Sequence, residues 1–228
     1  MGVSIYYLRA IYTFTYMSVE LYAVGEYKGT TILIKKGDCL KDFPYYFTDE
    51  FAKPFICKYL FYSDIPVNLS LDEGLPGKIT QLPENGLTGA IERRGTKRPK
   101  AGELIFVNQY LTHWESLILI VLYLLENPNE DDRIEIVEHI KNGFDSAEDK
   151  GVDAIVTPGL SLLYKMFDME LAANILMEAL EMYLDNRSSE NIKIISFCLE
   201  DQIELEKFLK VAKDRFRNYS TWMFLKGT

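Results

Sequence analysis

A three-layer α/β/α sandwich around a mixed, mostly parallel central sheet is the fold class this sequence predicts, on three observations. Residues 117–125, LILIVLYLL, are nine consecutive apolar positions closed by Glu126-Asn127-Pro128. A run with no period-two alternation that stops so soon reads as a strand covered on both faces, at the centre of the sheet. Strand-then-helix units then follow one another to Phe216, and such units need right-handed crossovers, hence parallel strands with helices on the sheet faces. The preceding half instead carries β-rich runs around short turns, which add antiparallel strands.

Length and charge bound the rest. The chain has 228 residues, 48% of them hydrophobic, enough for one sizeable core and an extension rather than two domains. Residues 1–18 are expected to be an aromatic-rich amino-terminal extension or edge strand, 19–217 a single domain, and 218–228 a tail; Met17 would also serve as a start. A net charge of −9, from 34 acidic and 25 basic residues, argues against a nucleic-acid-binding face, which needs cations to neutralise phosphates. A nucleotide ligand stays open, because backbone N–H groups at a helix start can hold its phosphates. Cys39, Cys57 and Cys198 form no CxxC pair, so neither a disulfide framework nor a zinc site is expected and a cytoplasmic location fits. With only His113 and His139, no histidine-based metal cluster is expected, and no cofactor is implied. The apolar run is too short for a membrane helix, which takes about 20 residues, and no signal-peptide pattern stands at the amino terminus.

Residues 4–16, SIYYLRAIYTFTY, read as a strand or docking segment. Runs 19–24 and 30–35 flank Gly25-Glu26-Tyr27-Lys28-Gly29 and predict a hairpin. After Lys36-Gly37-Asp38-Cys39, residues 40–54 read as a loop with a short helical piece, 55–60 as a strand, and 64–69 as extended chain interrupted by Pro66. The polar stretch 72–85 is a long loop, 86–95 (GLTGAIERRG) a short helix started through glycine, and 103–107 a strand. Asn127 as cap with Pro128 at the first position predicts a helix to Glu148, whose Val137, Ile140, Phe144 and Ala147 share one stripe. Strand 152–156 follows. Helix 169–184 is apolar over most of its circumference, with Glu170, Asn174, Glu178 and Glu181 as one wet edge. Strand 192–199 precedes a last helix that opens on Asp201-Gln202-Ile203-Glu204. Tyr219, Trp222, Met223 and Phe224 make the tail a docking segment, on its own domain or on a neighbour.

In such a sheet ligands sit outside the carboxyl ends of the parallel strands. The candidate loops are therefore 68–86, 157–165 and 200–201, with 112–114 as a neighbour. Asp38 and Asn68 there read either as ligand contacts or as ordinary turn residues. Gly86 and Gly89 either seat a phosphate or only permit a turn. Ser161 lacks the Gly-x-Ser-x-Gly setting of a serine hydrolase. Cys198, inside an apolar strand, reads as an inert core thiol.

The order of elements and several short strings resemble a macro domain, the fold of ADP-ribose-binding modules, and also the amino-terminal domain of leucyl aminopeptidases. The strings are Lys36-Gly37-Asp38, Asp64 to Asn68, GLTGAIERRG at 86–95, and the strand Val152-Asp153-Ala154-Ile155-Val156. The resemblance implies an adenine contact from Asp38, a ribose contact from Asn68, and phosphates over Gly86, Gly89, Thr157, Gly159 and Ser161. It departs from the family in its glycine loops: residues 74–89 lack a run of three glycines, and the second loop reads Thr157-Pro158-Gly159-Leu160-Ser161, where Pro158 offers no N–H. Two readings follow. One is a macro-like module that binds ADP-ribose or a related nucleotide, with no evident catalytic base. The other is a non-catalytic interaction or homo-oligomerisation protein that kept the scaffold, lost the pocket, and works through its aromatic amino-terminal segment or tail.

Overall fold

Lys28 and Gly29, with φ of 50° and 77°, form the two-residue, positive-φ turn whose twist matches that of a hairpin. It joins β1 (Glu20–Tyr27) to β2 (Thr30–Lys36). The computed structural model describes residues 19–39, 45–48, 51–54, 57–62, 100–111, 114–122, 125–158, 163, 166–216 and 222–225. The other strands are β3 (Tyr45–Thr48), β4 (Phe51–Pro54), β5 (Cys57–Tyr62), β6 (Leu104–Leu111), β7 (Trp114–Ile120), β8 (Ala154–Pro158), β9 (Ile194–Leu199) and β10 (Met223–Phe224). Among the described residues the helices are α1 (Glu130–Asp149), α2 (Met169–Asn186) and α3 (Gln202–Arg215).

Eight strands form one sheet in the order β10-β1-β2-β9-β8-β5-β7-β6. The inner five, β2, β9, β8, β5 and β7, are mutually parallel; β1, β10 and β6 are antiparallel to their neighbours. This is the expected mixed sheet, with two corrections. The run at 117–125 does not hold the centre: its strand, β7, lies beside the edge strand β6, and β8 and β9 are central. An unbroken apolar run reports cover on both faces, not place in the order, and Ile118, Ile120, Val121 and Leu122 are all buried. Residues 45–48 and 51–54, expected to be loop and helix, form the antiparallel pair β3–β4; two aromatic-containing runs between Pro44 and Pro54 suit strands better than helix turns.

The three described helices pack side by side with α2 in the middle. Strand alternation sends Ile32, Ile34, Ile155, Ile195 and Phe197 into one core with Val137, Ile140 and Phe144 of α1, Leu180 and Tyr183 of α2, and Phe208 of α3. Each such side chain contributes about 1.5–3 kcal/mol on burial. Leu33, Val156 and Cys198, on the other face by the same alternation, are equally buried. The sheet is therefore covered on both sides, as a three-layer sandwich requires.

The start of α1 differs from expectation. Asn129, not Asn127, is the cap: its Oδ1 accepts from the N–H groups of Asp131 and Asp132, and Asp132 accepts in return from the Asn129 N–H at 2.8 Å. The reciprocal box satisfies more donors than the Asn127-Pro128 alternative offers. The expected wet edge of α2 is also its seam to both neighbours. Arg133 of α1 donates to Glu178 at 2.8 Å, Arg215 of α3 to Asn174 at 3.1 Å and also to Glu181, and Lys210 to Glu170 at 2.7 Å. Gly25 lies inside β1 rather than in the turn, and the tail docks on its own domain, with Met223 and Phe224 paired to Val24 and Ala23.

Candidate functional site

Parallel strands bring their carboxyl ends to one pole. Here that pole collects Lys36 of β2, Leu199 of β9, Pro158 of β8, Tyr62 of β5 and Ile120 of β7. The chain segments leaving β2 and β9 are locked together. Gly37 N–H donates to the Leu199 carbonyl at 2.9 Å, and the Cys198 thiol donates to the Gly37 carbonyl at 3.2 Å. Gly37 has φ 147°, a backbone shape that disfavours any side chain, so the glycine of the Lys-Gly-Asp string is required by the backbone. Beside it, the Lys36 ammonium donates to Gln202 Oε1 at 2.7 Å, and Gln202 Nε2 donates to Glu206 at 2.9 Å. This chain of contacts ties the end of β2 to the first turn of α3. Asp38 follows directly and is partly exposed, so a carboxylate stands at the rim between β2 and β9.

Of the residues expected at the site, the described structure brings Asp38 and Thr157 to this pole. Thr157 is 1% exposed and its hydroxyl donates to the Pro158 carbonyl at 3.1 Å. Its side chain is thus turned into the protein, and Pro158 ends β8 in register with Cys198. Asn68, Gly86, Gly89, Gly159 and Ser161 lie outside the described residues. The expected neighbour loop at 112–114 is a correction: Trp114 opens β7 and pairs with Cys57 at the start of β5, which puts it at the opposite pole. Parallel strands share their direction, so the first residue of one cannot reach the carboxyl ends of the others.

The electrostatics of the pole are set by the helix starts. α1, α2 and α3 each begin there, capped by Asn129, Asp168 and Asp201 respectively. Asp168 accepts from the Glu170 and Leu171 N–H groups, and Asp201 from those of Ile203 and Glu204. Glu130, Asp131, Asp132, Glu170 and Glu204 add negative charge in the first turns. These amides, which could otherwise receive an anion, are taken up by the chain's own side chains.

Sequence reasoning missed Lys36 and Gln202. It also missed Lys35, fully buried and in register with Cys198. A lysine at an inward position of a β-branched run, LIKK, is the signal that could have marked it. Glu148, 2% exposed at the far end of α1, was missed as well. Burial alone would push its carboxyl up, but hydrogen bonds from Ser189, Tyr183 and the N–H groups of Asn191 and Ile192 hold it below the usual range. The Tyr183 hydroxyl is pushed far up by burial and by its bond to Glu148. This cluster lies at the pole opposite the candidate site and joins α1, α2 and the chain entering β9.

The architecture is that of a macrodomain. The Oceanobacillus iheyensis macrodomain with ADP superposes with a TM-score of 0.70 at 14% identity, over 87% of this chain and 99% of that one. The macro domain of ganglioside induced differentiation associated protein 2 gives 0.61 at 14% identity, over 81% and 83%. The Trypanosoma brucei macrodomain in complex with ADP gives 0.60 at 11% identity, over 79% and 68%. At these identities the likeness is one of fold. No family model matches the sequence, and no curated protein does. Among the described residues no helix is long and apolar enough to cross a membrane.

Proposed function

We propose that the chain binds ADP-ribose or a related nucleotide at the carboxyl-end pole of its parallel strands, as a binding module rather than an efficient catalyst. The observation that carries this reading is Asp38, held at the rim between β2 and β9 by the Gly37–Leu199 and Cys198–Gly37 contacts, in a fold shared with macrodomains that hold ADP. A carboxylate there accepts from the exocyclic amine of adenine. Asn68 contacts the ribose. In this reading the phosphates lie over Gly86 and Gly89 and over the loop of Thr157, Gly159 and Ser161, as the resemblance implies, with the buried Thr157 contributing main chain only. Asp201, the carboxylate after β9, caps α3 and so is not a candidate base. A cytoplasmic location, in keeping with three cysteines that form no CxxC pair, belongs to the same reading.

Two observations favour a second reading. The pole is ringed by carboxylates, and Pro158 removes an N–H where the second loop begins, which suits a scaffold that has lost the pocket and acts through protein contacts. Thermal shift with ADP-ribose, ADP and AMP separates the two. A site with a dissociation constant 100-fold below the ligand concentration stabilises the fold by about 2.7 kcal/mol and raises the melting temperature. No shift with any of the three at millimolar concentration leaves only the second reading.

A further inference from the structure

Gly25 occupies the middle of β1, where a β-branched residue would ordinarily serve better. Its neighbour explains it: a Cβ there would lie 2.2 Å from Cε2 of Trp222. The indole lies across the strand and stacks on Phe216 at the end of α3, with ring centroids 4.6 Å apart and planes 8° from parallel. Phe216 in turn meets Tyr27 of β1 at 5.8 Å. Beyond Trp222 the chain becomes a strand. Met223 and Phe224 pair with Val24 and Ala23, and Leu225 N–H donates to the Tyr22 carbonyl at 2.8 Å. Phe224 stacks against Trp222 at 6.0 Å, under the Lys213 ammonium. A sheet edge supplies main-chain bonds, and a glycine-floored slot supplies selection of one aromatic side chain. That is how an extended peptide is recognised by strand addition.

We infer that the β1 edge and the Gly25 slot form a strand-capture groove for a Trp-Met-Phe segment, filled in cis by residues 222–225 and able to take the same segment from a second copy of the chain. Among the described residues the cis ladder spans two residue pairs of an eight-residue strand, and the buried Trp222 Nε1–H has no hydrogen-bond partner there, a group whose isolation costs free energy. Five residues separate Phe216 from Trp222, so the segment is tethered but not continuous with α3. The contacts made by a second copy's segment are identical to those made in cis, which makes exchange of a terminal strand a low-cost route to a dimer.

The test uses the full chain and a labelled peptide of residues 219–228 in a polarisation titration. The tether gives the cis segment an effective concentration of about a millimolar, so wild type binds the peptide poorly. A Trp222→Ala, Phe224→Ala chain, its groove vacated, binds it at least about tenfold more tightly on the same argument. Adding Gly25→Val to that chain fills the slot and abolishes the gain, with folding of each variant checked by circular dichroism. Equal or absent binding across the three proteins overturns the groove, as does indifference to Gly25→Val. Light scattering on wild type refolded at rising concentration reads the exchange itself: a dimer fraction that grows with concentration is expected, and a monomer throughout overturns it.

Discussion

Replacing Glu148 by alanine removes a buried carboxylate that receives four donors. Oε1 accepts from Ser189 Oγ and from the Asn191 N–H, both at 2.6 Å; Oε2 accepts from the Tyr183 hydroxyl at 2.5 Å and from the Ile192 N–H at 3.2 Å. Ser189 and Asn191 reach water and can replace the lost acceptor, whereas Tyr183 and Ile192 are both 0% exposed. Two stranded donors at about 1–3 kcal/mol each give a loss of about 2–6 kcal/mol. For a chain of this size that is roughly 2–4 °C per kcal/mol, so a fall in melting temperature on the order of 10 °C. Glu148 is held below its ordinary pKa in the native state, so its contribution is present above the unfolded value of about 4.3 and is lost as pH falls through the lower native value. The stability gap between wild type and Glu148→Ala, measured by urea unfolding at a series of pH values, should be full at neutral pH and shrink in strong acid. A gap under about 1 kcal/mol, or one unchanged down to the lowest pH at which both proteins fold, would refute the reasoning.

Three further outcomes are expected. Asn129→Ala should cost about 1 kcal/mol by opening the α1 cap, read as a small drop in melting temperature with unchanged helix content. Arg215→Met removes the cation beside Glu181, whose carboxyl burial already pushes up; a raised native pKa makes stability fall as pH rises through it. The variant's deficit should therefore be larger at pH 7 than at pH 5, by thermal melts in both buffers. Gly25→Val should cost about 1–3 kcal/mol by overpacking and shift tryptophan emission to the red as Trp222 leaves its slot; an unmoved emission maximum would contradict the packing described.

Much of the fold could be read from apolar pattern and turn residues. The β1–β2 hairpin, strands β8 and β9, and helices α2 and α3 all follow from local period and capping side chains, as Asp201 ahead of Gln202 shows. Strand order is a non-local property, and the run at 117–125 misled because cover on both faces looks the same beside an edge strand as at the centre. Asn129 was passed over because two asparagines flank Pro128, and only the returned bond from Asp132 decides between them. Gly25 read as a turn residue because its reason, Trp222, is far away in sequence. At the candidate site, the position of Asp38 just past the end of β2 could be read from Lys-Gly-Asp closing an apolar run. Lys36 and Gln202 were not, since their 2.7 Å bond joins positions separated by most of the chain. Glu148 was hidden for the same reason, its partners lying on another helix and at the start of another strand.

Isothermal titration of the purified chain with ADP-ribose, alongside its Asp38→Ala variant, tests the proposed nucleotide site most directly. The account predicts saturable heat for the wild type. It predicts affinity at least about tenfold weaker for the variant, the loss expected from removing one charge-assisted hydrogen bond of about 1.5–3 kcal/mol. No heat at millimolar ligand, or binding indifferent to Asp38→Ala, would contradict it.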